Sequence, residues 1–193
     1  MGHKFDVTKR RKLNSEERRR ILPPIETLKK MGLLEGDIIA DIGCGIGYFT
    51  FPASGIVGPK GLVYAMDISP EMLVDVEKKV SEQGILNIRT IQTEENDFKV
   101  TEETVTYAFI SNVLHELMNP AGFLQEIKRL LSPNGRVGVL EWRKAETGYG
   151  PPVDHRLDIK EVKQMFEDLE FKNIQGIEIG EHFYSVTAQK NAD

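Results

Sequence analysis

Residues 38–50 read Ile-Ile-Ala-Asp-Ile-Gly-Cys-Gly-Ile-Gly-Tyr-Phe-Thr, and this stretch decides the fold. Its apolar start is typical of a short strand buried on both faces of a sheet. Asp41 stands where that run gives way to three glycines at alternate positions, Gly43, Gly45 and Gly47. Glycine tolerates positive φ angles and leaves room for a ligand to approach the main chain. The stretch therefore predicts a strand, a tight turn that binds a small molecule, and the start of a helix.

A second acidic residue ends the next apolar run. That run covers residues 62–66, and Asp67 follows it, 20 residues after Gly47. In nucleotide-binding βαβ units, an acidic residue at about this distance accepts hydrogen bonds from the ribose hydroxyls. We therefore expect Asp67 to hold a ribose.

The rest of the chain alternates strand and helix patterns. Apolar runs with turn residues between them predict strands at 88–92, 105–110, 136–142, 171–179 and 182–188. Capping residues and helical spacing predict helices at 16–21, from 24 to about 31, 48–56, 70–83, 119–131 and 158–169. Gly180 and Glu181 separate the last two strands, which predicts an antiparallel hairpin. The alternation predicts a doubly wound α/β sheet with helices on both faces and one antiparallel strand.

Composition sets the class of protein. The chain has 193 residues, of which 40% are hydrophobic and 28% charged, and it contains one cysteine. No apolar run approaches the roughly eighteen residues of a membrane span, residues 1–20 lack the apolar core of a secretory signal, and a lone cysteine excludes an internal disulfide. We expect one domain over residues 35–193, a cytoplasmic location and no contact with a membrane. The sequence leaves open whether the protein is a monomer or a homodimer.

The segment 1–34 is predicted to be a helical arm that covers the glycine turn as a lid. Its first 20 residues carry eight Lys or Arg and three Asp or Glu, a charge of +5, which leaves -10 for the remainder of a chain whose net charge is -5. Such an arm could contact nucleic acid or an acidic substrate, or it could be a solvated helix face whose charges pair locally. We favour the solvated face because only Phe5 could stack on a base.

Several motifs resemble those of a known family. Residues 41–47 resemble the first motif of class I S-adenosylmethionine-dependent methyltransferases, and residues 65–73 resemble the second. The similarity continues through residues 111–116, 123–135 and the terminal hairpin, so that it covers roughly residues 35–189. Within this family, the chain most resembles the group that includes the ubiquinone and menaquinone biosynthetic methyltransferases. The resemblance implies a Rossmann-like sheet of seven strands in the order 3-2-1-4-5-7-6 with strand 7 antiparallel, S-adenosylmethionine as cofactor and a small-molecule acceptor.

An NAD-dependent dehydrogenase is the main competing interpretation of the glycine turn. Its G-x-G-x-x-G fingerprint would place a glycine where this chain has Tyr48. The observed spacing therefore favours the methyltransferase.

The resemblance also implies roles for individual residues. It places the turn from Gly43 to Gly47 against the methionine part of the cofactor, with Asp41 orienting the turn, Asp67 on the ribose and Ile68 on the adenine. Many relatives have an aspartate that contacts the adenine amino group, and this chain has Thr93 at that position. In the fourth strand, where relatives often have another aspartate, this chain has Thr106. We interpret Cys44 as a small residue at a crowded turn and not as a nucleophile. The predicted cofactor-binding residues are Asp41, Gly43, Cys44, Gly45, Gly47, Asp67, Ile68, Thr93, Glu94, Ser111 and Asn112.

Methyl transfer from a sulfonium needs a general base only if the acceptor has a proton to lose. His115 and Glu116 follow the fourth strand and are the candidates for that role, although His115 could equally pack against or cap the following loop. His155, His182 and the pair Glu141-Trp142 are weaker candidates for contact with substrate.

Other kinds of site find less support. The four histidines show no H-x-x-x-H pair and no zinc spacing, so we expect no metal. The Asn/Asp-Pro-Pro-aromatic tetrad of base methyltransferases is missing, which makes a nucleic-acid acceptor the weaker hypothesis. A protein acceptor and a non-catalytic S-adenosylmethionine-binding protein remain as alternatives.

Overall fold

The computed structural model describes residues 14–192, so the prediction for the first part of the basic arm, residues 1–13, lies outside the described residues. A seven-stranded sheet runs through the molecule in the order β3-β2-β1-β4-β5-β7-β6. The strands are β1 (Ile38–Ile42), β2 (Leu62–Asp67), β3 (Ile88–Gln92), β4 (Val105–Ser111), β5 (Leu131–Trp142), β6 (Lys172–Ile179) and β7 (Phe183–Gln189). Neighbouring strands are parallel from β3 to β5, whereas β7 is antiparallel to both β5 and β6. The predicted fold and strand order are confirmed.

Helices cover both faces of this sheet. They are α1 (Glu16–Ile21), α2 (Pro24–Lys30), α3 (Thr50–Val57), α4 (Pro70–Gln83), α5 (Pro120–Leu130) and α6 (Ile159–Asp168), with short 3-10 helices at Leu114–Glu116 and Val153–His155. Buried residues of α5 and α6 such as Phe123 and Phe166 belong to the core on one face. The core on the other face contains Leu28, Ala53 and Val76 from α2, α3 and α4. Because β1 lies in the middle of the sheet, both of its faces are buried, as its apolar sequence predicts.

Local signals set the ends of these helices. The Ser69 hydroxyl accepts a hydrogen bond from the backbone of Met72 at the start of α4, and Gly84 ends that helix with a φ of 62°. Asp158 and Glu161 form a capping box at the start of α6.

Two details differ from the pattern expected from the sequence. Residues 132–135, which separate the predicted helix 119–131 from the predicted strand 136–142, are instead a bulge inside β5, because Leu131 already pairs with Val105 and the next pairing joins Arg136 to Tyr107. Helix α3 starts at Thr50 and not at Tyr48, since the glycine turn extends further along the chain and Gly47 has a φ of 84°.

The described part of the N-terminal arm packs beside the glycine turn. Leu22 and Leu28 are fully buried. The hydroxyl of Tyr48, the residue after the turn, donates a hydrogen bond of 2.6 Å to the carbonyl oxygen of Leu22. The guanidinium of Arg18 lies 4.7 Å from the centre of the Tyr48 ring. Between residues 14 and 192, no helix has the length and apolar character needed to cross a membrane.

Candidate active site

The carboxyl ends of the central strands open onto a cavity of about 890 Å³. Strand β1 lies between β2 and β4, so the chain order reverses at this point of the sheet, which is where open α/β folds bind their ligands. The cavity volume lies within the range of roughly 300–1,000 Å³ that is typical of small-molecule sites. Its walls include every predicted cofactor-binding residue except Gly47, together with His115 and Glu116.

The glycine turn is held against β2 by its own backbone. The N–H groups of Gly43 and Cys44 both donate to the carbonyl oxygen of Met66, at 2.8 and 3.0 Å. A Cβ atom at Gly43 would lie 2.4 Å from Val113 Cγ2, and one at Gly47 would lie 2.5 Å from the Phe51 ring. Packing and positive φ angles therefore require glycine at these two positions, whether or not a ligand is present.

Asp67 lies directly against the turn. One of its carboxylate oxygens accepts a hydrogen bond from Gly45 N at 2.8 Å, and the other accepts one from Ser69 N at 2.9 Å. Burial raises the pKa of Asp67, although these backbone bonds favour the charged form and oppose the shift. Ile68 is 44% exposed beside it, and the backbone of Thr93 donates to the carbonyl oxygen of Asp67.

Asp41 and Cys44 are buried on the wall of the same cavity. The hydroxyl of Thr50 donates a hydrogen bond of 2.6 Å to Asp41. Burial nevertheless raises the pKa of Asp41 to about 7. Burial also raises the pKa of the Cys44 thiol well above its ordinary value, with the neighbouring carboxylates adding to the shift. A thiol with a raised pKa is a poor nucleophile, in keeping with a packing role for Cys44.

The side-chain oxygen of Asn112 is an acceptor to which no residue in the range 14–192 donates a hydrogen bond. Its backbone has a φ of 56°, which asparagine tolerates better than most residues. Its Nδ2 donates to the Ser111 hydroxyl at 3.1 Å, whereas its Oδ1 is buried without a hydrogen-bond partner. An unpaired buried acceptor on a cavity wall indicates a place where a ligand can donate a hydrogen bond.

His115 forms a buried pair with Glu141. Its Nδ1 lies 2.7 Å from Glu141 Oε2, and its backbone N–H lies 3.4 Å from Oε1 of the same carboxylate. Glu141 is 1% exposed, while His115 and the neighbouring Glu116 both line the cavity. Burial lowers the pKa of His115, but the hydrogen bond and the charge of Glu141 outweigh burial, so that the net effect is a raised pKa. The sequence suggested Glu141 only as a weak candidate for substrate contact, because a separation of 26 positions in the sequence hides the pair.

The loop after β5 closes one side of the cavity. Residues 150–152 and 154–155 line it, together with Trp142. Arg156 holds this loop, since its guanidinium donates to the carbonyl oxygens of four residues, Arg143, Ala145, Tyr149 and Pro151. His155 therefore reaches the cavity. His182 does not line it, and its ring contacts Tyr149 instead.

Thr106 lies away from this site. Its hydroxyl donates to Asp37 at 2.8 Å and accepts a hydrogen bond from Ile38 N at 2.9 Å, near the start of β1. Arg136 completes the cluster with two contacts of 2.7 Å to the Asp37 carboxylate. The threonine that replaces the aspartate of many relatives thus serves the opposite end of the sheet.

The residues on the walls fit S-adenosylmethionine. Asp67 presents a carboxylate suited to a ribose diol, and Asn112 presents an unused acceptor suited to an ammonium group. Counting only residues 14–192, the cavity has six carboxylic side chains (Asp41, Asp67, Glu94, Glu95, Glu116 and Asp154) and one guanidinium, that of Arg18. Such walls favour a ligand that carries a positive sulfonium. Within that same range, no group of three or more His, Cys, Asp or Glu side chains is arranged to hold a metal ion.

Comparisons with known proteins agree with this fit. A family model described as a methyltransferase domain (Methyltransf_11) matches residues 40–139. A demethylmenaquinone methyltransferase from Geobacillus sp. (strain WCH70) is 31% identical over 116 residues, which are 60% of this chain and 50% of that protein. A ubiquinone/menaquinone biosynthesis C-methyltransferase, UbiE, from Marinomonas sp. (strain MWYL1) is 30% identical over 122 residues, 63% of this chain and 49% of that protein. The chain thus spans about half the length of these curated relatives.

A solved structure matches nearly the whole chain. The crystal structure of a SAM-dependent methyltransferase from Aquifex aeolicus superposes with a TM-score of 0.91 at 34% identity, covering 96% of this chain and 99% of that one. Given the matched domain, the strand order and the fit of the cavity, this chain belongs to the class I S-adenosylmethionine-dependent methyltransferases.

Proposed function

We propose that the chain transfers the methyl group of S-adenosylmethionine to a small-molecule acceptor, and that it does so in the cytoplasm. The observation that carries this proposal is that the glycine turn, Asp67 and His115 all line one cavity. The names of the demethylmenaquinone and ubiquinone/menaquinone methyltransferase relatives support a small-molecule acceptor. A cavity of about 890 Å³ between the strand ends and the loop of residues 150–155 also suits a small acceptor better than a polymer.

In this proposal the residues of the chain bind and orient, while the cofactor supplies a methyl group that is already activated as a sulfonium. Asp67 would hold the ribose by accepting hydrogen bonds from its hydroxyls, and Asn112 Oδ1 would accept one from the amino group. Asp41 holds the glycine turn through Thr50 at the start of α3. Positioning of the two reacting groups in one cavity would supply most of the catalysis.

His115 acts as the general base in this scheme. Its Nδ1 is taken by Glu141, so that the neutral ring keeps its proton on Nδ1 and presents the lone pair of Nε2. Nε2 would take the proton that the acceptor loses when it receives the methyl group, and bound S-adenosylmethionine would leave as S-adenosylhomocysteine once its S–CH3 bond had broken. The Glu141 carboxylate then stabilises the imidazolium that forms. Glu141 is a positioning residue, since it acts through His115.

A turnover assay tests the proposal. Wild-type protein is incubated with S-adenosylmethionine and fractionated small-molecule extracts, and the formation of S-adenosylhomocysteine is measured. We expect product from at least one fraction, and a kcat lower by about 10²- to 10⁴-fold for His115→Gln with little change in affinity for the cofactor. His182→Gln is the matched control, because His182 does not line the cavity and its loss should leave turnover unchanged.

The role of Glu141 has a separate readout. Replacing Glu141 by Gln removes the charge that raises the pKa of His115, so the acidic limb of the kcat profile should move to lower pH. An unmoved limb would contradict the assignment of His115 as the base. Tight binding of S-adenosylmethionine without product from any fraction would favour a non-catalytic binding protein instead.

A further inference from the structure

Arg18 places a positive charge on the wall of the cavity. It lies on helix α1, and its guanidinium stacks on the Tyr48 ring at 4.7 Å from the ring centre. Tyr48 is itself fixed, because its hydroxyl donates to the carbonyl oxygen of Leu22 at 2.6 Å. The guanidinium therefore has a defined position next to the residue that follows the glycine turn.

No carboxylate of the described chain serves as its counter-ion. Arg18 Nε is buried without a hydrogen-bond partner among residues 14–192, and Arg18 takes part in none of the ion pairs found there. The next residue shows the contrast, since exposed Arg19 donates to the Asn14 side chain at 3.1 and 2.6 Å. Burial of a charged group without a partner is costly, which makes this position favourable for an anion.

The surroundings indicate which anion fits. Six carboxylic side chains line the same cavity, and Arg18 is the one Lys or Arg side chain that residues 14–192 contribute to its walls, which makes Arg18 the favoured partner there for a ligand carboxylate. A guanidinium offers a planar fork of N–H donors that matches a carboxylate. Tyr48 adjoins the turn from Gly43 to Gly47, which in the proposed function holds the methionine part of the cofactor.

We propose that Arg18 binds a carboxylate in the cavity, and that this carboxylate is the one on the methionine part of S-adenosylmethionine. The inference rests on the proposed function. A carboxylate on the acceptor has the same chemistry and is the other possible source, so the experiment separates the two. In either case the N-terminal arm supplies a ligand-binding residue and is more than a cover for the cavity.

Calorimetric titration with S-adenosylmethionine and with its decarboxylated analogue tests the inference. The wild type should bind S-adenosylmethionine at least tenfold more tightly than the analogue. Arg18→Gln should lose at least tenfold in affinity for S-adenosylmethionine and should bind the analogue as the wild type does. Arg19→Gln, which removes the same charge from the same helix but not from the cavity, should change neither affinity.

Each other outcome has a definite meaning. Equal losses for both ligands in Arg18→Gln would show a structural effect and overturn the carboxylate assignment. Unchanged binding of both ligands would overturn the assignment to the cofactor, and a rise in KM confined to acceptors with a carboxylate would then assign Arg18 to the acceptor. If the wild type binds neither ligand, the proposed function itself fails. The thermal unfolding temperature of each variant without ligand shows whether it is folded.

Discussion

Asp41 is a buried acid, and its negative charge destabilises the folded state. Removing that charge should stabilise the protein at neutral and higher pH. The side chain is 3% exposed. Burial raises its pKa from the ordinary 3.8 to about 7, even though the Thr50 hydroxyl donates to it. The folded protein therefore keeps a proton on Asp41 at pH values where the unfolded chain has already lost it.

The sign of the pH dependence follows from this difference in bound protons. Below about pH 4 both states hold the proton, and Asp41 costs nothing. As the pH rises from about 4 to about 7, the unfolded state releases the proton first, so the free energy of unfolding falls. At pH 8 the loss for a shift from 3.8 to about 7 is on the order of 4 kcal/mol.

Asp41→Asn removes the charge and leaves the shape almost unchanged. The amide oxygen can still accept the hydrogen bond from Thr50, while the buried NH2 group costs about 1–2 kcal/mol. We expect the variant to be more stable than the wild type by about 2–3 kcal/mol at pH 8. This difference should grow by about 2–3 kcal/mol between pH 5 and pH 8, with most of the growth below pH 7.

Urea unfolding followed by circular dichroism at several pH values measures this difference. Asp168→Asn on α6 is the control for loss of a negative charge, because Asp168 is exposed and accepts a hydrogen bond from Gln164. A stability difference between Asp41→Asn and wild type that does not change with pH would refute the reasoning. A variant less stable than wild type at pH 8 would refute it as well.

Three further substitutions test other parts of the structure. Gly43→Ala should cost about 2 kcal/mol or more in urea unfolding, since its φ is 75° and the new methyl group would lie 2.4 Å from Val113 Cγ2; an unchanged midpoint would contradict this. Arg136→Met should cost about 3 kcal/mol because it leaves the largely buried Asp37 carboxylate without its cation, and a neutral result would show that the pair adds little. Arg156→Lys should speed amide hydrogen exchange across residues 143–155 and leave exchange in the sheet unchanged, because one ammonium group cannot donate to all four carbonyl oxygens. Exchange in residues 143–155 as slow as in the wild type would argue against the role of Arg156.

Most of the fold could be predicted because its signals are local. The cap at Ser69, the capping box at Asp158 and the acid at the end of β2 are each encoded within a few residues. Strand order came from the resemblance to the family, since alternation of strands and helices predicts a doubly wound sheet but not the position of each strand.

The unpredicted parts depend on contacts between distant segments. The Glu141 carboxylate meets His115 only after β4 and β5 pair, and Arg18 reaches the cavity only after the arm folds back onto Tyr48. Neither contact leaves a periodic pattern in the sequence. The bulge in β5 also depends on a distant contact. Residues 132–135 have a composition typical of a turn, but β5 begins before them because Leu131 pairs with Val105.

The glycine turn shows that a correct motif can have more than one physical cause. The sequence suggested that its glycines leave room for a ligand. In the structure, Gly43 and Gly47 are required by Val113 and Phe51, while Gly45 lines the cavity and donates to Asp67. The glycine turn thus also positions Asp67.

Parallel calorimetric titrations of the wild type and Asp67→Ala with S-adenosylmethionine and with NAD test the central claim most directly. Charged hydrogen bonds of the kind assigned to Asp67 contribute about 1.5–3 kcal/mol, so Asp67→Ala should bind S-adenosylmethionine at least about tenfold more weakly than wild type. NAD should bind neither protein. Preference of the wild type for NAD, or no binding of S-adenosylmethionine, would contradict the assignment of this cavity to a sulfonium cofactor.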